Sequence, residues 1–201
     1  MPNWIFVRHG ESRANLDGVY SGHGDSPLTE HGRQQARRIA AHVARLRPRR
    51  AFCSDLSRAH DTARLILEGS AIPLTATDRL RERDVGTLTW TAIADARRTE
   101  VGARLRTWRG RPPGGESVED AALRGLTFLA SVDDDLDTLV VAHGTLVRGV
   151  LAVADGLAPG ELSEHRLRNC EVVTRQWAVG HWARSLRRAR DAAAAPGAKS
   201  G

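Results

Sequence analysis

The sequence predicts an α/β fold, a three-layer sandwich in which a mostly parallel central sheet carries helices on both faces and a short inserted cap. Three observations support this fold class. Short apolar runs alternate with amphipathic helical segments along the 201 residues. Two of the runs, at 4–7 and 138–142, are apolar at nearly every position, as in buried parallel strands. Each run leads into a His-Gly pair, so two imidazoles are expected at the carboxyl edge of the sheet.

The first half of the chain contains three predicted strands and two predicted helices. The elements are, in order, a strand at 3–8, a loop at 12–25, a helix at 30–46, a strand at 50–54, a helix at 57–68 and a strand at 72–75. Thr29 is the expected N-cap of the first helix, and Pro48 ends it because proline cannot continue the hydrogen-bond ladder. Ser57 is the expected cap of the second helix, and Gly69 ends it.

The second half of the chain opens with a highly charged segment and contains the predicted cap, at about 84–115. We expect a helix at 91–106, a loop at 107–115, a helix at 116–132, an acidic turn at 133–135, a strand at 138–142, a helix at 146–154 and one or two strands within 166–182. Residues 1–183 then form a single domain. From Arg184 the chain is rich in arginine and alanine, and 184–201 are expected to be a basic, disordered tail.

Composition limits the classes of partner. The formal net charge is +6, and Lys199 is the single lysine. Such a balance fits nucleic acid, anionic lipid or a small anionic substrate. Because the arginines are interspersed with acids, as at 79–84, and aromatic residues are only 4% of the chain, we expect no nucleic-acid partner. No run of 18 apolar residues and no secretory signal is present, so we expect a cytoplasmic protein without a membrane partner, as a monomer or homodimer. Cys53 and Cys170 are expected to be small buried hydrophobes.

The Arg8-His9-Gly10 sequence carries the first indication of chemistry. A neutral imidazole can attack phosphorus, and a guanidinium can bind two phosphate oxygens at once. Gly10 allows a sharp turn and a close approach of the backbone to a ligand. His143 and Gly144 repeat the pattern after the later strand. If the two strands are neighbours, both imidazoles line one crevice.

A set of motifs in a fixed order resembles the histidine phosphatase superfamily, in its phosphoglycerate mutase-like branch. The matching segments, spread over about 3–175, are Arg8-His9-Gly10-Glu11-Ser12 with Asn15, Ser21-Gly22, 25–32, 54–59, Leu80-Arg81-Glu82, 114–117 and Ala142-His143-Gly144. A single motif of this kind would be weak. The ordered set is specific, because an accidental match would have to supply every piece in sequence.

The resemblance implies a role for each matched residue. His9 would be the nucleophile that carries the phosphoryl group, and Glu82 would protonate the leaving oxygen. The groups surrounding the phosphoryl would be Arg8, Arg58 and His143, the last of them favoured in its protonated form by the phosphate. We expect six residues to contact the phosphate and the substrate: Asn15, Ser21, Gly22, Arg81, Gly144 and Thr145. No cofactor and no metal is implied.

Several alternatives remain open at this stage. Glu11 or Glu119 could be the acid instead of Glu82. Arg58 could be a helix-surface arginine, and His143 a core histidine. Four arginines could bind a second anionic group of the substrate or could be solvated or paired: Arg81, Arg83, Arg109 and Arg111.

Rival chemistries have the wrong spacing. A cysteine phosphatase needs five residues between its cysteine and arginine, whereas four lie between Cys53 and Arg58. There is no His-Glu-x-x-His motif for a metal and no Gly-x-x-x-x-Gly-Lys-Ser/Thr loop for a nucleoside triphosphate.

The expected activity is hydrolysis of a phosphomonoester, on a small anionic metabolite such as a sugar phosphate or a phosphoglycerate-like acid. The short segment between Glu82 and His143 favours a phosphatase over a mutase, since the family's mutases resemble one another in having a larger insertion there. The alternatives are a mutase-type phosphotransferase, an inactive phosphate-binding protein and a nucleic-acid-binding protein. Where the family often has a Trp-Glu-Gly-like turn, this chain has Leu88-Thr89-Trp90-Thr91. That departure leaves the local geometry of the cap open.

Overall fold

One five-stranded sheet organises the computed structural model, which describes residues 1–132, 135–157 and 166–194. The strands are β1 (Asn3–Arg8), β2 (Arg50–Ser54), β3 (Leu74–Thr77), β4 (Thr138–Ala142) and β5 (Val172–Gln176). The helices are α1 (Arg13–Leu16), α2 (Glu30–Arg45), α3 (Ser57–Ile66), α4 (Ile93–Ala96), α5 (Glu100–Arg104), α6 (Val118–Leu129), α7 (Gly144–Ala154) and α8 (His181–Ala194). Two single turns of 3₁₀ helix lie at Asp78–Leu80 and Gly86–Leu88.

The sheet places the two His-Gly pairs side by side. The strand order is β3-β2-β4-β1-β5, and every pairing is parallel except that of β5 with β1. Arg8 pairs with Ala142, so His9 and His143 leave adjacent strands at the same level. The predicted mostly parallel sheet is therefore confirmed, and so is the convergence of the two strand ends.

Helices cover both faces, as predicted. Along β1 the side chains alternate between two cores, because successive residues of a strand point to opposite faces. Trp4 and Phe6 pack with α6, α7 and α8, whereas Ile5 and Val7 pack with α2 and α3. All four of these strand residues are buried. The result is the three-layer sandwich expected from the sequence.

The cap segment is less regular than predicted. Instead of one helix at 91–106, α4 and α5 are separated by a break where Thr99 caps α5 by accepting the Gly102 N–H. A threonine that satisfies a free helix N–H favours a new start over a continuous helix. Trp90 has a φ of 68°, a left-handed backbone uncommon for a bulky side chain, and its indole covers Gly24.

Several predicted boundaries were wrong by a few residues. The loop at 12–25 contains α1, capped by Ser12. Ser57 is the first residue of α3 rather than its cap; Leu56 holds that position without a side-chain bond, and the helix ends at Ile66. The third strand is Leu74–Thr77, not 72–75. Within 166–182 the structure has one strand, β5.

The expectation of a disordered tail from residue 184 was wrong for the first eleven residues. They belong to α8, whose Trp182, Ser185 and Leu186 are buried. Trp182 meets Trp4 edge to face, with 5.0 Å between ring centroids. Alanine and arginine are strong helix formers, and an apolar stripe gives such a helix a face to bury. Residues 195–201 lie outside the described residues, as does part of the predicted acidic turn, at 133–134. No helix in the described ranges is long and apolar enough to cross a membrane.

Candidate active site

Two buried imidazoles form the centre of the site. The ring centroids of His9 and His143 are 5.1 Å apart, with 60° between the ring planes. Both side chains are almost completely removed from solvent. They come from positions 134 residues apart in the chain, joined by the pairing of β1 with β4.

The tautomer of His9 follows from its hydrogen bond. Nδ1 lies 2.7 Å from the carbonyl oxygen of Gly10, which can only accept, so Nδ1 carries the proton. Nε2 then keeps its lone pair. Burial, reinforced by the positive charges of Arg58 and Arg8, holds the pKa of His9 well below its ordinary value. The ring is therefore neutral and nucleophilic at Nε2 near neutral pH.

His143 is held by packing rather than by hydrogen bonds. Neither of its ring nitrogens has a partner within the described ranges. Burial, followed by the charges of Arg58 and the proximity of His9, lowers its pKa well below the ordinary value. In the protein alone this ring is neutral, with both nitrogens available to another group. That a phosphoryl dianion would favour its protonated form stays a prediction.

Two guanidinium groups flank the imidazoles. Arg58 is only 1% exposed, and it donates from Nη1 to the Gly24 carbonyl at 2.9 Å and from Nη2 to the Gly22 carbonyl at 2.8 Å. Arg8 donates from Nη1 to the Leu167 carbonyl at 2.6 Å. Burial lowers the pKa of each arginine, and the charge of Glu82 acts against that on both. Arg58 is thus not a helix-surface arginine.

The Glu82 carboxylate lies at the start of α7, directly after His143. Oε2 accepts the Thr145 N–H at 3.1 Å, and Oε1 accepts the Leu146 N–H at 3.0 Å and that of Arg83 at 2.9 Å. A helix N-terminus is a favourable place for a negative charge. This arrangement holds the carboxyl group at the helix end that follows His143 and within the field of both arginines.

Five of the six residues predicted to contact the phosphate and the substrate have contacts within the protein, described here; Arg81 is described below. Gly22 and Gly144 lie against the arginines: Gly22 accepts from Arg58, and a Cβ on Gly144 would lie 3.5 Å from Arg8 Nε. Ser21 accepts the Gly24 N–H through its carbonyl, within the same loop. Thr145 contributes its N–H to Glu82. The Asn15 amide oxygen accepts from the Ser12 N–H and from Asn169, whose amide also donates to the His9 carbonyl.

The four arginines considered for a second anionic group already have protein partners. Arg81 forms a two-pronged pair with Asp55, at 2.8 and 2.5 Å. The buried Arg83 donates to the Leu105 carbonyl. Arg109 pairs with Glu119 at 3.2 Å, and Arg111 with Asp120 at 2.6 Å. The structure therefore favours the paired alternative for these side chains, including Arg81.

The two alternative acids have hydrogen-bond partners of their own. Glu11 accepts the Thr29 hydroxyl at 2.7 Å. Glu119 accepts from the indole N–H of Trp108 and from Arg109, each at 3.2 Å. Of the three carboxylates, Glu82 is the one whose charge acts on both Arg8 and Arg58. Glu82 is the acid that the geometry favours.

Two supporting residues were not predicted. The Thr62 hydroxyl accepts the Gly10 N–H at 3.0 Å and donates to the Arg58 carbonyl at 2.6 Å, which joins the loop after His9 to α3. Thr62 follows Arg58 by four residues, so its place on the same helix face was available as a signal. The Asn169 amide donates to the His9 carbonyl at 3.0 Å. It lies in an irregular segment, where periodicity gives no signal.

A sequence profile and two groups of relatives match the chain. The profile of the histidine phosphatase superfamily (branch 1) covers residues 4–194. The chain is 36% identical over 178 residues to 2,3-bisphosphoglycerate-dependent phosphoglycerate mutase 2 of Gloeobacter violaceus, covering 83% of this chain and 81% of that protein. It is 33% identical over 183 residues to a probable phosphoglycerate mutase of Salmonella paratyphi C, covering 88% and 85%.

Solved structures with the same fold carry phosphatase names. A mycobacterial glucosyl-3-phosphoglycerate phosphatase in complex with VO3 superposes with a TM-score of 0.81 at 26% identity, covering 89% of this chain and 97% of that chain. A putative alpha-ribazole-5'-P phosphatase from Escherichia coli superposes with a TM-score of 0.76 at 26% identity, covering 86% and 89%. The proteins similar to this chain thus include some named as mutases and some named as phosphatases.

Proposed function

This chain belongs to the histidine phosphatase superfamily (branch 1), and we propose that it is a phosphomonoester hydrolase that acts through a phosphohistidine on His9. The observation that carries the proposal is the environment of that ring. The Gly10 carbonyl orients it, burial keeps it neutral, and the charges of Arg8 and Arg58 act on it. A neutral imidazole beside two guanidinium groups suits attack on a phosphate ester, whose transferring group spreads negative charge over three oxygens.

In the first step, His9 Nε2 attacks phosphorus and the bond from phosphorus to the leaving oxygen breaks. Arg8, Arg58 and His143 stabilise the charge on the phosphoryl oxygens. Glu82, in its acid form, gives its proton to the leaving oxygen, and the alcohol departs. The products of this step are the free alcohol, phosphohistidine and an ionised Glu82.

In the second step, the Glu82 carboxylate takes a proton from water while the water oxygen attacks phosphorus. The bond from phosphorus to Nε2 breaks, inorganic phosphate leaves, and His9 is again neutral. The carboxyl group is protonated again, so the cycle closes. One positioned acid and base is worth about 10²–10⁴-fold in rate, and this is the share that Glu82 is asked to supply.

A mutase-type transfer of the phosphoryl group is the second candidate, because the sequence relatives carry that name. The length of the segment between Glu82 and His143, residues 83–142, is a weak criterion for distinguishing hydrolysis from mutase-type transfer. Relatives named as mutases align over 81% and 85% of their own length, so they are of comparable size. Hydrolysis is supported by the phosphatase names of the superposed structures.

The substrate we propose is a small anionic metabolite, such as a sugar phosphate or a phosphoglycerate-like acid. The net charge of +6 favours an anionic ligand. Four of the arginines nevertheless form contacts within the protein: Arg81, Arg83, Arg109 and Arg111. We propose no nucleic-acid or membrane partner, a cytoplasmic location, and a monomer or homodimer. Size-exclusion chromatography with light scattering checks the last point, and an assay of DNA binding against salt concentration checks the first.

A single set of reactions tests the activity. The protein is incubated with p-nitrophenyl phosphate, a panel of sugar phosphates, and 3-phosphoglycerate primed with 2,3-bisphosphoglycerate, and both free phosphate and isomerised ester are measured. Hydrolysis predicts phosphate release, and a mutase predicts isomerisation with little release. His9→Ala is expected to abolish both, while His42→Ala, at an exposed position on α2, leaves them unchanged. Full turnover by His9→Ala would refute the assignment, and acid-labile phosphate trapped on His9 supports it.

A further inference from the structure

The side chain of Arg124 connects α6 to the segment that carries Glu82. It is only 14% exposed. Nη1 donates to the carbonyl groups of Arg79, at 2.9 Å, and of Arg81, at 3.0 Å, and Nη2 donates to the carbonyl of Glu82, at 3.1 Å. With a longer contact from Nη1 to the Asp78 carbonyl, at 3.5 Å, one guanidinium contacts four carbonyl groups within residues 78–82. These contacts fix the main chain that leads into the proposed acid.

Glu116 holds that guanidinium from the opposite side. Its oxygens accept from Arg124 Nε at 2.9 Å and from Nη2 at 2.8 Å, a two-pronged pair. Glu116 also accepts the Asp84 N–H at 3.0 Å, and its own N–H donates to the Asp84 carbonyl at 2.9 Å. The contacts therefore bracket Glu82 on both sides along the chain.

A second donor reaches the Glu82 carbonyl from the loop that holds Arg58. The bond joins His23 Nε2 to that oxygen at 2.8 Å. His23 lies between Gly22 and Gly24, whose carbonyl groups receive the Arg58 guanidinium. The same short loop thus contacts both a phosphate-binding arginine and the proposed acid. Asp84, with an oxygen 3.6 Å from His23 Nδ1, and Glu116, at 3.9 Å from Nε2, are the acidic neighbours of this ring.

We propose that Arg124 is a positioning residue for the reaction, assisted by His23, and that both act by fixing the Glu82 main chain so that its carboxyl group faces the leaving oxygen. The inference rests on the proposed function, because it requires Glu82 to be the proton donor. Neither side chain touches the reacting atoms in this account. Without the contacts from Arg124 to these carbonyl groups, the 79–82 segment can rotate. The Glu82 carboxyl group then no longer faces the leaving oxygen.

The dependence of the rate on the leaving group tests this role. A poor leaving group such as an alkoxide needs the acid, whereas a good one such as 2,4-dinitrophenolate leaves without it. Arg124→Lys keeps the charge but not the planar, two-pronged geometry. Because Glu82 also serves the later hydrolysis of the phosphohistidine, the measured quantity is kcat/KM, which reports only the steps up to departure of the alcohol. We expect Arg124→Lys to lower kcat/KM on an alkyl phosphate by about tenfold or more and to change kcat/KM on 2,4-dinitrophenyl phosphate by less than about threefold. Equal losses on both esters, or no loss on either, would overturn the inference.

Controls separate this inference from the proposed function. Arg175→Lys alters a comparable arginine, which pairs with Asp155 at 2.9 Å and donates to the Thr174 carbonyl, and is expected to leave both rates unchanged. Glu82→Gln should show the same selective loss as Arg124→Lys, but larger. If Glu82→Gln shows selectivity and Arg124→Lys does not, only the inference fails. If Glu82→Gln shows none, the proposed acid fails and the inference with it.

A second variant protects the test against a folding defect. His23→Phe keeps the bulk of the ring and removes the donor to the Glu82 carbonyl. If Arg124→Lys does not fold, His23→Phe is expected to show the same selective loss on the alkyl ester, to a smaller extent. A folded His23→Phe protein whose rates on the two esters change by the same factor, relative to the unaltered protein, would contradict the proposal.

Discussion

Replacement of Thr62 by valine removes one hydrogen bond to the residue that follows His9, the proposed nucleophile. The side chain is completely buried, and its hydroxyl accepts the Gly10 N–H at 3.0 Å. Valine has nearly the same shape but cannot accept. The Arg58 carbonyl keeps its helical N–H partner, so the main consequence of Thr62→Val is a buried Gly10 N–H without an acceptor.

The expected cost follows from that orphaned donor. An unsatisfied buried N–H costs about 1–3 kcal/mol, so we expect Thr62→Val to lose about 2 kcal/mol of unfolding free energy. For a chain of this size the loss corresponds to a Tm about 4–8 °C lower. The Gly10 carbonyl also orients the His9 ring. A small shift of that peptide should therefore lower kcat by about tenfold to 10²-fold.

Thermal unfolding and steady-state hydrolysis of p-nitrophenyl phosphate measure both effects. Thr127→Val is the matched control, because Thr127 also donates to the carbonyl four residues earlier, at 2.7 Å, but is exposed. It should change stability by less than about 0.5 kcal/mol and leave kcat unchanged. If Thr62→Val unfolds and turns over like Thr127→Val, the bond to Gly10 carries no weight and the reasoning is refuted.

Three further predictions concern the two imidazoles, one glycine and one tryptophan. Because the pKa values of His9 and His143 are lowered below 6.5, the protein takes up protons when it unfolds below that pH. The free energy of unfolding should therefore be complete above pH 6.5 and fall on acidification by about 1.4 kcal/mol per pH unit for each ring. In urea unfolding measured at several pH values, His143→Phe should show a smaller dependence of that free energy on pH. Gly22→Ala should lower Tm more than Gly69→Ala, since both have positive φ but only a Cβ at Gly22 would meet Val85, at 2.7 Å; equal losses would contradict this. Trp182→Ala should cost about 3–5 kcal/mol and Trp182→Phe much less, because the buried indole N–H has no partner among the described residues; denaturation followed by circular dichroism would detect the reverse order.

The centre of the site was predictable because its position depends on a simple geometric rule. Carboxyl ends of neighbouring parallel strands share one edge of a sheet, so an apolar run followed by His-Gly was informative twice, at His9 and at His143. The family motifs then added Arg58, at the start of α3, and Glu82, in the loop after the first 3₁₀ turn; strand periodicity marks neither position. The order of strands in the sheet was not predictable from the sequence pattern.

The supporting contacts were not predictable, for a physical reason. Asn169 acts through a single amide in an irregular segment, and neither composition nor spacing marks such a residue. Arg81 carried a family motif, yet its pairing with Asp55 depends on where β2 ends. The sequence was misleading at α8, where arginine and alanine indicated disorder although the same residues form a good amphipathic helix.

The position of β1 inside the sheet has a consequence for synthesis of the protein. Both strands that flank it come from the far end of the chain; Trp4, for example, pairs with Thr138 and with Arg175. At ordinary translation rates, roughly 7 to 27 seconds separate the emergence of Trp4 from that of its first partner. During that interval β1 has neither of its flanking strands, although α2 and α3, which cover Ile5 and Val7, have already been made. The strand that leads to His9 is thus made early but can be paired only late, so we expect incomplete chains to need protection by chaperones.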